Sequence, residues 1–125
     1  MRVPLKRSVL GLTLGFVVAA SAHARPAEEV RRADRQVVIV AERFNYMPSR
    51  VKVRRGETIE FVLSSEDTYH GFYIRELGVD VLIPPLGKGE ARVLVRFEKP
   101  GRYVFECSRP CGAGHNAMRG QIVVK

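Results

Sequence analysis

The sequence predicts an all-β domain, a sandwich or barrel closed around one core. Three observations predict it. From about residue 37 onward, short runs rich in β-branched and aromatic residues alternate apolar with polar side chains. Gly and Pro turn signals separate these runs at intervals of roughly eight to twelve residues. No helical period longer than two turns runs through the same stretch. About 90 residues are enough for one core but not for two.

The chain opens with Arg2, Lys6 and Arg7, an apolar run from Val9 to Ala20, and Ala22-His23-Ala24. A basic start, a short apolar stretch and an A-x-A end are the parts of a secretory signal peptide. Residues 1–24 are therefore read as a signal cleaved after Ala24. The competing reading is a short membrane anchor. A spanning helix needs ~20 apolar residues, and this run is shorter and holds Gly11, Thr13 and Gly15. Residues 25–35, RPAEEVRRADR, are charged and almost without apolar side chains, which fits a linker.

Residues 36–125 form the β domain. Val37 to Ala41 is a β-branched run bounded by charge. Val51 and Val53 alternate with Lys52 and Arg54 before a turn at Gly56; Ile59, Phe61 and Leu63 put Glu60 on the other face. Phe72 and Ile74 follow His70. Val93, Val95 and Phe97 alternate with Arg92 and Arg96, and Lys99-Pro100-Gly101 turns the chain into Tyr103–Glu106. Gln121 to Val124 is the last strand. There is no internal repeat and no low-complexity segment.

Between the last two strands lies CSRPCGAGHNAM, Cys107 to Met118, with the spacing C-x3-C-x3-H-x2-M. It contains both cysteines of the chain, one of its three histidines and one of its three methionines. Thiolate, imidazole and thioether together select a soft or borderline metal, and copper uses all three. Taken one at a time, the residues have plainer explanations: a structural disulfide, a surface histidine, a core methionine. Four such side chains in one loop, presented by strands that hold both its ends, point instead to a metal centre. A single blue copper needs one cysteine, and this loop offers two. Without residues 1–24 the chain keeps two histidines, His70 and His115. Two coppers bridged by two thiolates would use both cysteines, both histidines and the thioether.

The stretch resembles the dinuclear copper (CuA) loop of cytochrome c oxidase subunit II and of nitrous-oxide reductase, which share this spacing. SSEDTYHGFYI resembles that family's D-x-x-H-[SG]-F segment, with His70 as the upstream histidine. The resemblance runs from about Val38 to Val124 and is strongest to the short subunit II of B-type haem–copper oxidases. It implies a Greek-key cupredoxin barrel that brings the two loops to one pole. It also implies bridging thiolates at Cys107 and Cys111, terminal imidazoles at His70 and His115, and a weak axial thioether at Met118. The backbone carbonyl of Arg109 would be a weak ligand to the second copper. The family's electron-entry aromatic is often Trp, which this chain lacks. Phe44, Tyr46, Phe72 and Tyr73 are the aromatic candidates, with core packing as the alternative for each.

Lys and Arg number 21 against 13 Asp and Glu. Loss of residues 1–24 removes Arg2, Lys6 and Arg7 and no acid, leaving 18 against 13, a net +5. Such a surface steers acidic partners. An exported β domain without a nucleic-acid motif excludes nucleic acid. No acid–base pair, nucleophile or open coordination position argues for substrate chemistry on this chain.

The leading expectation is thus a periplasmic one-electron carrier with two coppers per chain. Its expected partners are a redox donor such as a c-type cytochrome, a haem–copper oxidase core or other copper enzyme as acceptor, and a copper chaperone for loading. A copper storage or delivery protein for oxidase assembly is the alternative. A disulfide-stapled β domain without metal is the third reading.

Overall fold

The computed structural model describes residues 32–125 and the isolated Gly11. The proposed signal or anchor and most of the linker lie outside the described residues. Among those described, no helix is long and apolar enough to cross a membrane. Nine strands follow in order: β1 (Arg35–Glu42), β2 (Asn45–Met47), β3 (Arg50–Val53), β4 (Thr58–Ser65), β5 (His70–Ile74), β6 (Val79–Ile83), β7 (Ala91–Arg96), β8 (Gly101–Glu106) and β9 (Arg119–Val124). Two short 3-10 turns, Arg75–Leu77 and His115–Ala117, complete the elements.

The strands form a sandwich of two sheets, ordered β2-β1-β4-β7 and β3-β9-β8-β5-β6. Parallel pairing of β1 with β4 and of β3 with β9 requires connections that cross between the sheets, because parallel neighbours cannot be joined by a hairpin. This is the expected all-β class. Two strands were not anticipated. β2 is three residues long and ends at Met47-Pro48, so it has no room for an alternating pattern. β6 runs into Pro84-Pro85 and pairs only along β5, at an edge.

Alternation places Ile59, Phe61, Leu63, Phe72, Ile74, Phe105 and Ile122 in the core with no solvent exposure. Burying each such side chain contributes about 1.5–3 kcal/mol. Aromatic rings run through this core in sequence: Phe97 against Phe61 (6.3 Å), Phe61 against Phe72 (5.2 Å), Phe72 against Phe105 (5.0 Å) and Phe105 against Tyr46 (5.0 Å). The column ends beneath the cysteine loop, where the Tyr46 hydroxyl donates to the Gly71 carbonyl at 2.6 Å. A rigid packed wall therefore supports the strand that starts with His70.

Candidate metal centre

Cys107 directly follows β8, and Met118 directly precedes β9. The two are tied across the base of the loop by the Cys107 N–H donating to the Met118 carbonyl at 3.1 Å. Gly112 has φ +137°, a conformation only glycine takes without strain, and it lets the chain turn back after Cys111. The 3-10 turn at His115 then aims that ring inward. His70 is not on a free loop, as the sequence suggested, but is the first residue of β5, paired with Ile83 of β6. Its position is set by a ladder rather than by a turn.

These elements bring every proposed side-chain donor to one place. The two Sγ atoms lie 3.6 Å apart. Cys107 Sγ is 4.0 Å from His70 Nδ1 and 3.1 Å from the Arg109 carbonyl oxygen. Cys111 Sγ is 3.7 Å from His115 Nδ1 and 3.9 Å from Met118 Sδ. His70, Cys107 and Cys111 alone present three donor atoms within 4.8 Å of one another. Cys107, Cys111, Met118 and His70 are buried, while His115 is only partly so. The set is soft, convergent and dry, and it fits copper.

The shell around the donors sets their orientation. His70 Nε2 is 2.7 Å from Asp67 Oδ1, which leaves Nδ1 free to face the sulfurs. A carboxylate behind a ligating imidazole fixes its tautomer and raises its basicity. Partial burial would raise the pKa of Asp67. Hydrogen bonds from His70 and from the N–H groups of Arg43 and Thr68 outweigh it and hold the carboxyl below its ordinary value. The Gly71 N–H points at Cys107 Sγ from 3.4 Å. Burial first, and then the neighbouring Cys107, push the Cys111 thiol up to about 11. Burial and the two cysteines likewise push the Tyr46 phenol far above its usual range.

Two residues of this shell, Arg43 and Asp80, went unnoticed in the sequence. Arg43 bridges the two donor segments: its backbone N–H donates to Asp67 Oδ2 at 2.8 Å, and its Nε donates to the Cys111 carbonyl at 2.9 Å. Phe44, one of the aromatic candidates, lies over the loop, so close that a Cβ on Gly114 would fall 2.3 Å from its ring. It is 37 % exposed, whereas Tyr46 and Phe72 are core residues. Tyr73 instead carries the Arg75 guanidinium over its ring at 5.8 Å. Asp80, on β6, pairs with Arg109 at 3.2 Å and accepts from the Ser108 hydroxyl at 2.6 Å. The Ser108 hydrogen bond foremost, then Arg109, holds the Asp80 carboxyl below its ordinary value. The positive charge of Arg109 thus reaches the sulfurs as one end of an ion pair. The only signal for Asp67 was its place in the D-x-x-H segment. Arg43 and Asp80 gave none.

Comparison with known proteins agrees with this fold. The sequence matches the cupredoxin-like domain family over residues 10–124. It is 38% identical over 90 residues to cytochrome c oxidase subunit 2 of Thermus thermophilus, a match that covers 71% of this chain and 64% of that one. The chain therefore spans less than two thirds of that relative's length. Among solved structures, a chain of a heme–copper terminal oxidase dimer superposes with a TM-score of 0.66 at 26% identity, covering 82% of this chain and 74% of the other. The periplasmic domain of cytochrome oxidase subunit II from Bradyrhizobium japonicum gives 0.69 at 17% identity, over 77% and 87%; at that identity it supports the fold alone.

Proposed function

Because this chain belongs to the cupredoxin-like domain family and resembles cytochrome c oxidase subunit II, we propose that it is a one-electron carrier holding two coppers in a CuA centre. The observation that carries this reading is the convergence of two thiols, two imidazoles and a thioether in one nearly dry cluster. Cys107 and Cys111 would bridge the metals, His70 and His115 would cap them, and Met118 and the Arg109 carbonyl would be the weak axial donors. Held by these residues, a copper pair would supply a one-electron couple whose charge change would be spread over both metals.

The protein's contribution is to keep the donors still and to exclude water. Strands β5, β8 and β9 and the Arg43 bridge hold the donor segments from three sides, which limits nuclear movement on electron transfer. His115 is the donor that reaches toward solvent, so the exposed pole around it and Phe44 is the electron's route in or out. The proposed setting is the periplasm. A c-type cytochrome is the donor class, a haem–copper oxidase core or other copper enzyme the acceptor, and a copper chaperone loads the site.

Storage and delivery of copper is the competing reading. Delivery needs an exposed, exchangeable site. Here Cys107 is 6% and Cys111 4% exposed, which favours the carrier. Metal analysis and EPR of the reduced, reloaded protein decide between them. Two coppers per chain, a purple colour and one electron shared by two equal nuclei are expected. One copper with a single-nucleus spectrum, or copper surrendered readily to a mild chelator, defeats the carrier reading.

Met118→Leu is a separate test. Leucine matches methionine in volume, so the core tolerates it at a cost below ~1.5 kcal/mol. Both coppers are expected to stay, because an axial thioether is a weak ligand. Exchange of a sulfur donor for an alkyl group disfavours the more highly charged oxidised state, so the reduction potential rises. A change of ~1.4 kcal/mol corresponds to about 59 mV for one electron, and a rise of tens of millivolts is expected. Redox titration showing an unchanged or lower potential would mean that Met118 is only a packing residue.

A further inference from the structure

The basic charge of the chain is not spread evenly. Several exposed arginines are paired. Arg92 contacts Glu90 at 2.6 Å and Glu60 at 3.6 Å, Arg96 contacts Glu98 at 3.1 Å, and Arg75 contacts Glu106 at 3.0 Å. Arg109 is held by Asp80. At the other end of the sandwich the picture is different. Arg35, Arg50, Lys52, Arg54, Arg102 and Lys125 surround a cleft of about 600 Å³, whose one acidic side chain is Glu57. Glu57 is already engaged: Arg35 Nε lies 2.8 Å from Oε1, and the Arg54 N–H donates to Oε2 at 2.9 Å. Among the described residues, Arg50, Lys52, Arg54, Arg102 and Lys125 form no ion pair at all.

Strand pairing creates this cluster. Val53 of β3 lies beside Val124 of β9, and Val123 of β9 lies between Lys52 and Arg102. Lys52 and Arg102 therefore stand two strand spacings apart, about 10 Å. The cleft is far from the cysteine loop. Arg102 is the second residue of β8 and Cys107 directly follows its last, five positions further on, or roughly 17 Å along an extended strand. None of its lining residues belongs to the donor set.

Like charges gathered around a single, already engaged acid repel one another, and the arrangement is stable against that repulsion when an anion lies between them. Guanidinium forks at four positions and ammonium groups at two suit tetrahedral oxyanions that carry several charges on a small volume. The 10 Å spread of the cations exceeds the span of one phosphate and fits two or three linked or adjacent ones. We infer that this cleft is a binding site for clustered phosphate groups, either as a free condensed phosphate or as the headgroups of an anionic membrane. It stands independently of the copper reading.

The test uses the purified full chain with two probes: inorganic tripolyphosphate followed by calorimetry, and vesicles of phosphatidylglycerol followed by co-sedimentation, with phosphatidylcholine vesicles as reference. The double charge reversal Lys52→Glu with Arg102→Glu lies on exposed positions and is expected to weaken binding of the active probe at least tenfold. Lys88→Glu with Lys99→Glu, also exposed, changes net charge by the same amount outside the cleft and is expected to change binding less than twofold. A cooperative thermal melt serves as the control for folding in both variants. Tripolyphosphate bound in preference to vesicles identifies a free anion as the ligand; vesicles bound in preference to tripolyphosphate identify the membrane. The inference is overturned if neither probe binds the parent protein, if both variants lose binding equally, or if an oligoglutamate peptide binds where both phosphate probes fail.

Discussion

Replacing Cys111 by serine is expected to remove the proposed two-copper site while leaving the fold in place. Cys111 Sγ lies at the centre of the donor cluster, 3.6 Å from Cys107 Sγ, 3.7 Å from His115 Nδ1 and 3.9 Å from Met118 Sδ. A serine hydroxyl is a hard donor on a shorter bond, and it does not bridge two soft metals as a thiolate does. Cys107, with His70 and the Arg109 carbonyl, keeps one half of the set. The variant should therefore bind at most one copper and lose the EPR pattern of one electron shared by two nuclei. The steric change is small, and burying the hydroxyl costs about 1–3 kcal/mol, so the apoprotein should melt cooperatively at a lowered Tm. Metal analysis, EPR and a thermal melt on the same sample make the check. Two coppers with a shared spectrum in Cys111→Ser would show that the second thiol is not a bridge.

Apoprotein held in air is expected to lose both free thiols and, with them, the capacity to take up copper. Both cysteines are free in the structure, and their sulfurs are 3.6 Å apart, against about 2.05 Å in a disulfide. The loop needs to close by only about 1.5 Å, and Gly112 and Gly114 stand next to the moving segment. Dissolved oxygen is the oxidant: it takes up the two electrons, and both thiol protons leave, as the S–S bond forms. Oxidised protein cannot offer two thiolates, so copper uptake should fall more than tenfold and recover fully after a thiol reductant. Thiol counting before and after air exposure, with copper uptake measured in parallel, tests this. Two intact thiols after prolonged oxidation, or uptake that ignores the reductant, would mean that the surrounding structure holds the sulfurs apart. The packing that opposes closure is identifiable: Arg43 on the Cys111 carbonyl and Phe44 over Gly112 and Gly114.

The sequence by itself determined the all-β class and the set of candidate donors. Val51, Val53, Ile59, Phe61 and Leu63 announce strands because the side-chain period of a strand is two residues, a property each segment carries alone. Cys107, Cys111, His115 and Met118 are legible because twelve consecutive residues hold them, and soft-donor chemistry needs no tertiary information. His70 became legible through the D-x-x-H resemblance and the count of histidines rather than through any local pattern.

Only the tertiary structure decided what surrounds those donors. Arg43 meets the Cys111 carbonyl across 68 positions, Arg109 meets Asp80 across 29, and Asp67 meets the Arg43 N–H across 24. The cationic cleft joins residues from β1, β3, β8 and β9 in the same way. Whether Arg92 is free or paired depends on Glu60, its diagonal neighbour across the β4–β7 ladder, as much as on nearby Glu90. Such contacts follow from strand order and register. Both are set by how two whole sheets close on a shared core, so no segment specifies them alone.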